Sequence, residues 1–334
     1  MIILTVKKRA NMKDVASLAN VSIATVSRYL NGELNRMSTQ TAATIKEAIT
    51  KLNYVPNSAA RQMVTHSSKI VAVAVANIDD YFSTELFKGA NSILESHHYT
   101  GVLFDSDSDN QRENELLNSI NQNNFDGLIL QPLTDTADTI RQQVKRDIPI
   151  VVADRELEKS SWPEVITDNY ASAQRAATYF YRAGFTRVIV LSSDVSAAST
   201  RRERFRGIQD VFEKIDVINI PEESYQRQQV KAELMQLISK TNEKTLLFAL
   251  KERWLLEFIA PLFVSKVIDP QQFQVTAFAD TRLAHALTPE IKLIHQNPFL
   301  IGASCAEILI EILNGNGTQV RGKNIVPAEF DWRD

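Results

Sequence analysis

Residues 12–32 read MKDVASLANVSIATVSRYLNG, and residues 53–63 read NYVPNSAARQM. The first stretch decides how the rest of the chain is read. Val15, Ala16 and Ala19 fall on one face at helical spacing, so the stretch opens with a short amphipathic helix. Asn11 is placed to cap it, with Asp14 as the reciprocal partner of a capping box. Asn20, Val21 and Ser22 break the pattern. Ser22 is then an N-cap for a second helix over 23–30, with Val26 and Leu30 facing inward. Two short helices across such a turn are the geometry that sets the second one into a DNA major groove. A third helix follows Ser38, with Ile45, Ala48, Ile49 and Leu52 inward; Asn53 ends it and Pro56 prevents its continuation.

Several runs match a known pattern in order and spacing: Lys13 to Ala16, Val21 and Ser22, Thr25 to Arg28, Leu30 and Asn31, Asn53 to Asn57, then Ala60 and Arg61. Together they resemble the DNA-binding headpiece of the lac repressor/galactose repressor family. On the second helix, Ile23, Ala24 and Arg28 are the expected base-reading positions. Arg28 is suited to a bidentate pair with guanine, and Ile23 and Ala24 to apolar contact with a thymine methyl. Ser22, Thr25, Ser27 and Asn31 are the expected phosphate contacts that set register. A hinge over 57–64, capped by Asn57 and including Ala60, is too short to be a stable helix alone and is expected to fold on DNA. The resemblance implies that Met63 takes the place of a leucine that wedges into the minor groove.

The whole chain of 334 residues suggests about two to three domains. The net charge of −3 hides a split. Residues 1–69 carry ten Lys/Arg and three acids, and the remainder carries 27 basic and 37 acidic residues. A basic module on an acidic body is the electrostatic footprint of a DNA-binding head. No apolar run approaches the roughly 18 residues of a spanning helix, so no membrane partner is expected. Ile2, Ile3, Leu4 and Val6 precede Lys7, Lys8 and Arg9, the reverse of a secretory signal. The one cysteine, Cys305, excludes an internal disulfide framework and suits a reducing compartment, so a cytoplasmic location is expected with Cys305 as a small buried hydrophobe.

From Lys69 onward, apolar β-branched runs alternate with amphipathic helices. Strands are expected at 70–76, 102–104, 127–130, 149–153, 187–191, 217–220, 245–249 and 273–278. Helices are expected at 83–97, 112–121, 136–145, 171–183, 201–212, 230–239 and 253–262. Fully apolar strands between helices mean parallel sheets covered on both faces. No Gly-x-Gly-x-x-Gly, phosphate loop or Gly-x-Ser-x-Gly elbow is present, and no histidine spacing suits a metal, so neither an enzyme nor a cofactor is expected.

The expected fold class is therefore α/β. A helix-turn-helix headpiece (11–56) and hinge (57–68) precede a periplasmic-binding-protein-like body of two doubly wound sheets (69–334). The first lobe is expected over 69–168 and 297–322, the second over 169–296 and 323–334. Ligand sites in such sheets lie at the carboxyl ends of strands. By resemblance, the effector-binding residues there are Tyr81, Phe82, Asp154, Arg155, Arg204 (three residues before Gly207) and Gln296. Two departures from the family stand out. Lys251 and Glu252 align where Asn-Asp is usual, and Ala279, followed by Asp280, stands where an Asp accepts sugar hydroxyls. A carboxylate lost and an ammonium gained would suit an anionic effector such as a sugar acid or sugar phosphate. The alternative is that Lys251 points to water or pairs with Glu252. The leading reading is a homodimeric regulator that binds palindromic operator DNA and a small carbohydrate effector. A sugar-binding protein without DNA function and a sugar kinase are the other two.

Overall fold

The computed structural model describes residues 10–30, 32–55, 67–222, 224–287, 291–316 and 322–332. The chain divides into two units, at Ser68 and Lys69. The expected hinge, with Asn57, Ala60 and Met63, lies outside the described residues, as does Asn31.

The first unit holds α1 (Met12–Leu18), α2 (Ile23–Leu30) and α3 (Thr39–Leu52). The capping box forms as expected. The Asn11 side chain accepts from the Lys13 and Asp14 amides at 2.8 and 3.2 Å, and Asp14 accepts from the Asn11 amide at 2.8 Å. Asn20 takes a left-handed conformation (φ 51°) that turns the chain between α1 and α2. Ser22 Oγ then accepts the Thr25 amide at 3.1 Å, and Ser38 Oγ accepts the Thr41 amide at 3.1 Å. Asn53 ends α3 in the left-handed region (φ 47°). Helices of 7, 8 and 14 residues are marginal alone. Burial holds them: Val15, Val26 and Ile45 are fully enclosed, each contributing roughly 1.5–3 kcal/mol. Tyr54, beyond the last helix, is also buried in this core, which helical periodicity did not reveal.

The second unit contains two six-stranded sheets. The strands are β1 (Ile70–Val75), β2 (Thr100–Asp105), β3 (Gly127–Leu130), β4 (Ile150–Ala153), β5 (Glu164–Thr167) and β6 (Arg187–Ser192). They continue with β7 (Lys214–Asn219), β8 (Thr245–Ala249), β9 (Phe273–Phe278), β10 (Lys292–His295), β11 (Lys323–Val326) and β12 (Glu329–Phe330). The first sheet runs β2, β1, β3, β4, β5, β11 and is parallel throughout. The second runs β7, β6, β8, β9, β10, β12, with only β12 antiparallel. Both follow the doubly wound order whose switch point lies between the first and third strands of each lobe. Central strands β3, β4 and β8 are buried along their whole length, whereas edge strands β2 and β7 are half open, which is why only the central ones read as unbroken apolar runs.

The chain passes between the sheets after β5, after β10 and after β11. This corrects the expected division of the lobes. Residues 323–326, expected in the second lobe, form β11, which pairs with β5 in the first, from Lys323 with Glu164 to Val326 with Thr167. A four-residue edge strand carries too little apolar patterning to reveal its sheet. Strands β5, β10, β11 and β12 and the helix Pro298–Leu313 add to the elements expected from the sequence. That helix packs on Tyr81–Ser96 with backbones touching: a Cβ at Gly89 would lie 1.9 Å from the Phe299 carbonyl oxygen, and one at Gly302 1.9 Å from that of Leu86. The helix expected over 253–262 is interrupted by a π-helical turn at Leu255–Ile259. Pro261 has no amide hydrogen to donate and its ring crowds the preceding turn, so the hydrogen-bond ladder shifts there. Cys305 is buried in the first lobe's core, as expected.

Candidate functional site

Two regions concentrate chemistry. On the first unit, Ile23, Ala24 and Arg28 are exposed on one face of α2 while Val26 points into the core, so the expected base-reading positions lie together on the solvent side. Ser22 and Thr25 hydroxyls bond each other at 2.8 Å at the start of the helix, and Ser27 is half-buried. At the helix N-terminus the Thr25 and Val26 amides bond back to the Ser22 carbonyl at 3.0 and 3.2 Å.

On the second unit, a cleft partly open to solvent lies where the carboxyl ends of the strands of both sheets converge. Of the residues expected there, Phe82, Asp154, Arg155, Arg204, Lys251 and Gln296 line it. Tyr81 does not: it is exposed beside Lys88. The helix starts at Tyr81, and successive helical side chains diverge by about 100°, so only Phe82 turns inward.

From the first lobe, Asp154 follows β4 in a left-handed conformation (φ 66°) and is buried. Gln131, after β3, donates to it at 2.8 Å and is itself held by the Ala76 amide at 3.0 Å and the Ser83 hydroxyl at 3.2 Å. Burial raises the Asp154 carboxyl above its ordinary range, against the pull of Arg155 and Arg204. Arg155 donates through Nη1 to the Pro132 carbonyl at 2.8 Å.

From the second lobe, Arg204 is anchored on three sides. Its Nε donates to Asn169 Oδ1 at 2.8 Å, Nη1 to the Leu250 carbonyl at 2.6 Å, and Nη2 to Gln296 Oε1. Its guanidinium lies 3.8 Å over the Phe278 ring centre. Burial pushes its pKa down to about 10, with Asp154 and Asp280 opposing. Gly207 explains the placement: a Cβ there would lie 2.5 Å from the Tyr170 carbonyl oxygen, so the Arg204 helix lies directly on the helix that begins with Asn169.

Sequence reasoning missed Arg201, one turn before Arg204 and on the same helical face, a spacing that could have identified it. Its Nη1 lies 2.5 Å from Glu222, which also binds Lys251 at 2.9 Å. Burial opposes ionisation of Glu222, but Lys251 and Arg201 outweigh it and hold the carboxyl at about 2. Lys251 reaches across to Asp80 of the first lobe at 3.4 Å. It therefore neither points to water nor pairs with Glu252, whose carboxylate instead accepts the Asp280 and Thr281 amides at 2.9 and 3.2 Å. The expected loss of a carboxylate is also corrected. Ala279 is buried in the core, and Asp280 one residue later enters the cleft, accepting from the Gln296 and Asn297 amides at 2.8 and 2.9 Å.

Three buried polar atoms of this wall have no hydrogen-bond partner among the described residues: Arg155 Nε, Arg201 Nε and Glu252 Oε1. Two are cationic donors and one is an acceptor. The cleft wall is dominated by charged groups, with Arg155, Arg201, Arg204 and Lys251 facing Asp80, Asp154, Glu252 and Asp280. Among the described residues no helix is long and apolar enough to cross a membrane.

Residues 11–57 match the family model described as bacterial regulatory proteins, lacI family, and residues 71–317 match that of the periplasmic binding protein domain. A solved LacI transcriptional regulator from Lactobacillus brevis is 46% identical over 78% of this chain and 99% of its own, with a TM-score of 0.75. The HTH-type transcriptional regulator KdgR of Bacillus subtilis is 28% identical over 91% of each chain. The ribose operon repressor of Lactococcus lactis is 26% identical over 97% of each.

Proposed function

The chain belongs to the LacI family of transcriptional regulators, and from that premise we propose that a small carbohydrate carrying a carboxylate or phosphate sets its affinity for operator DNA. The observation that carries the ligand class is the trio of buried cleft-wall atoms without a hydrogen bond: Arg155 Nε, which lies 4.0 Å from Asp154 Oδ2, Arg201 Nε and Glu252 Oε1. A buried donor without an acceptor costs about 1–3 kcal/mol, more when charged. An anionic group between the two arginines, with a hydroxyl donating to Glu252, removes all three costs at once. Phe82 offers a flat apolar face to the ligand's carbon skeleton, while the Phe278 ring is covered by the Arg204 guanidinium. A relative named for the ribose operon supports the carbohydrate class.

Arg204 and Lys251, both on the cleft wall, also have structural parts. The donors of Arg204 are largely used by the protein, so it is the scaffold of the cleft. Lys251 joins the lobes through Asp80, alongside Arg202 with Asp135 at 2.9 Å and the Glu156 amide with Ser199 Oγ at 2.8 Å. A ligand that binds both lobes favours one spacing between them. Moving such an equilibrium from 1:99 to 99:1 takes roughly 5.5 kcal/mol of differential binding. Two or three charge-assisted hydrogen bonds of about 1.5–3 kcal/mol each supply it.

One headpiece reads only a few base pairs, so the regulator acts as a homodimer on a two-fold site. Operator DNA, selected from random sequence and bound in fluorescence anisotropy, should lose about 1–3 kcal/mol of affinity in Arg28→Ala, with preference relaxed at one base pair. For the ligand, calorimetry with matched neutral sugars and sugar acids decides. Tight binding of a neutral sugar, with the sugar acid no better, would overturn the anionic class while leaving the DNA reading intact.

A further inference from the structure

The second lobe carries a cluster of side chains that the ligand cleft does not use. His285 ends the helix Arg282–His285, His295 ends β10, and Asp331 follows β12. Their ligand atoms all lie within 4.8 Å of one another. The two imidazoles are stacked nearly parallel, with centres 4.5 Å apart and planes at 6°.

The hydrogen bonds of His295 pose a question of charge. Nδ1 lies 2.9 Å from the Ala279 carbonyl oxygen, which only accepts, so Nδ1 carries the hydrogen. In the neutral ring Nε2 then presents a lone pair, and it faces Asp331 Oδ1 at 2.8 Å. Two acceptors at that distance require a positive charge between or upon them. We propose that His285, His295 and Asp331 bind a divalent transition-metal ion of the zinc type.

Three further features favour a metal. A ligating histidine commonly donates its other ring hydrogen to a backbone carbonyl, which fixes tautomer and ring orientation, and His295 does this with Ala279. The Asp331 carboxylate is oriented in the same way, with Oδ2 accepting the Leu293 amide at 3.0 Å. The site is also reachable from solvent, since His285 is exposed and the other two are partly open. Bonds of about 2.0–2.2 Å in tetrahedral geometry place ligand atoms roughly 3.3 Å apart. The His295–Asp331 pair opens slightly to accept the ion, and His285, stacked beside His295, supplies the third ligand. Two imidazoles with one carboxylate match zinc and its neighbours rather than calcium or magnesium, which take oxygen ligands. Water completes the fourth position.

The residues lie 10 and 36 positions apart, counted from His285 to His295 and from His295 to Asp331, so no motif announces them. Only the antiparallel return of β12 onto β10, pairing His295 with Glu329, brings Asp331 to the histidines. An ion here ties this returning segment, which arrives from the first lobe's sheet, to the strand that leads into Gln296 of the cleft.

The test is calorimetric titration of chelator-treated full-length protein with ZnCl2. One zinc per chain is expected, with no saturable uptake of calcium or magnesium. Changes to residues that merely orient a ligand cost about 10–100-fold in affinity, so losing a ligand in His285→Ala or Asp331→Asn should cost about 100-fold or more. Replacing His66, His97 and His98 together by Asn should leave the isotherm unchanged. Cobalt in place of zinc should give the visible absorption of a four-coordinate site, lost in both ligand variants. Absence of saturable zinc uptake at micromolar metal would overturn the site and leave an imidazolium–carboxylate pair. An isotherm unchanged in His285→Ala and Asp331→Asn would overturn it equally.

Discussion

The two lobes of the body are built on the same strand order, and each takes one extra edge strand from the chain's last pass. They differ in how they line the cleft. The first lobe contributes one cation, Arg155, satisfied in part by a backbone carbonyl. The second contributes Arg201, Arg204 and Lys251, two of them sharing Glu222. A common frame thus carries two different electrostatic faces. The frame is set by apolar burial, which many sequences satisfy. The charges are set by a few residues just past strand ends, where they leave the sheet undisturbed.

The largest expected effect tests the frame. Gly302→Ala puts a methyl group where a backbone oxygen lies 1.9 Å away. Urea unfolding should show a loss of about 3 kcal/mol or more, because a packed helix backbone cannot yield as a side chain does. Gly207→Ala in the second lobe, at 2.5 Å, should lose less, about 1–3 kcal/mol. Equal tolerance of both would break the view that close helix packing frames each lobe.

The next test concerns the second lobe's charges. The folded-state pKa of Glu222, about 2, lies below its ordinary value of 4.5. Its stabilisation is therefore full above that ordinary value and is lost as pH falls toward the folded one, with a total of about 3 kcal/mol. Glu222→Gln should be destabilised at neutral pH, and its gap from wild type should narrow between about pH 5 and pH 3. A gap that stays constant across that window in urea melts would mean that the lobe's cations do not depend on Glu222.

The cleft itself sharpens the comparison further. Arg155→Ala and Arg201→Ala should each weaken a sugar acid by about 1.5–3 kcal/mol, on the order of ten- to a hundredfold, and a neutral sugar far less. Loss in only one of the two would assign the anion to one lobe. The smallest effect belongs to Tyr81→Ala, which should leave ligand affinity unchanged in the same titrations because its ring lies outside the cleft. A marked loss there would mean that the first lobe presents a second aromatic face.

The headpiece was legible almost residue by residue. Asn11 and Asp14, Ser22, Ser38 and Asn53 act within a few positions of themselves, and capping and helical periodicity are local rules. The central strands were legible for a related reason: burial on both faces leaves an unbroken apolar run. The family motif also placed Arg204 and Gln296 on the cleft wall, though not their mutual hydrogen bond.

Tertiary structure alone decided the rest. It set which lobe receives β11, since a short edge strand reads alike in either sheet. It paired Lys251 with Glu222 and Asp80 instead of its neighbour Glu252, and it brought Asp331 to His295. Each of these contacts joins residues far apart along the chain. Sequence pattern specifies what a residue does within its own turn or strand; which distant charge it meets depends on how separately folded segments come together, and no local rule carries that information.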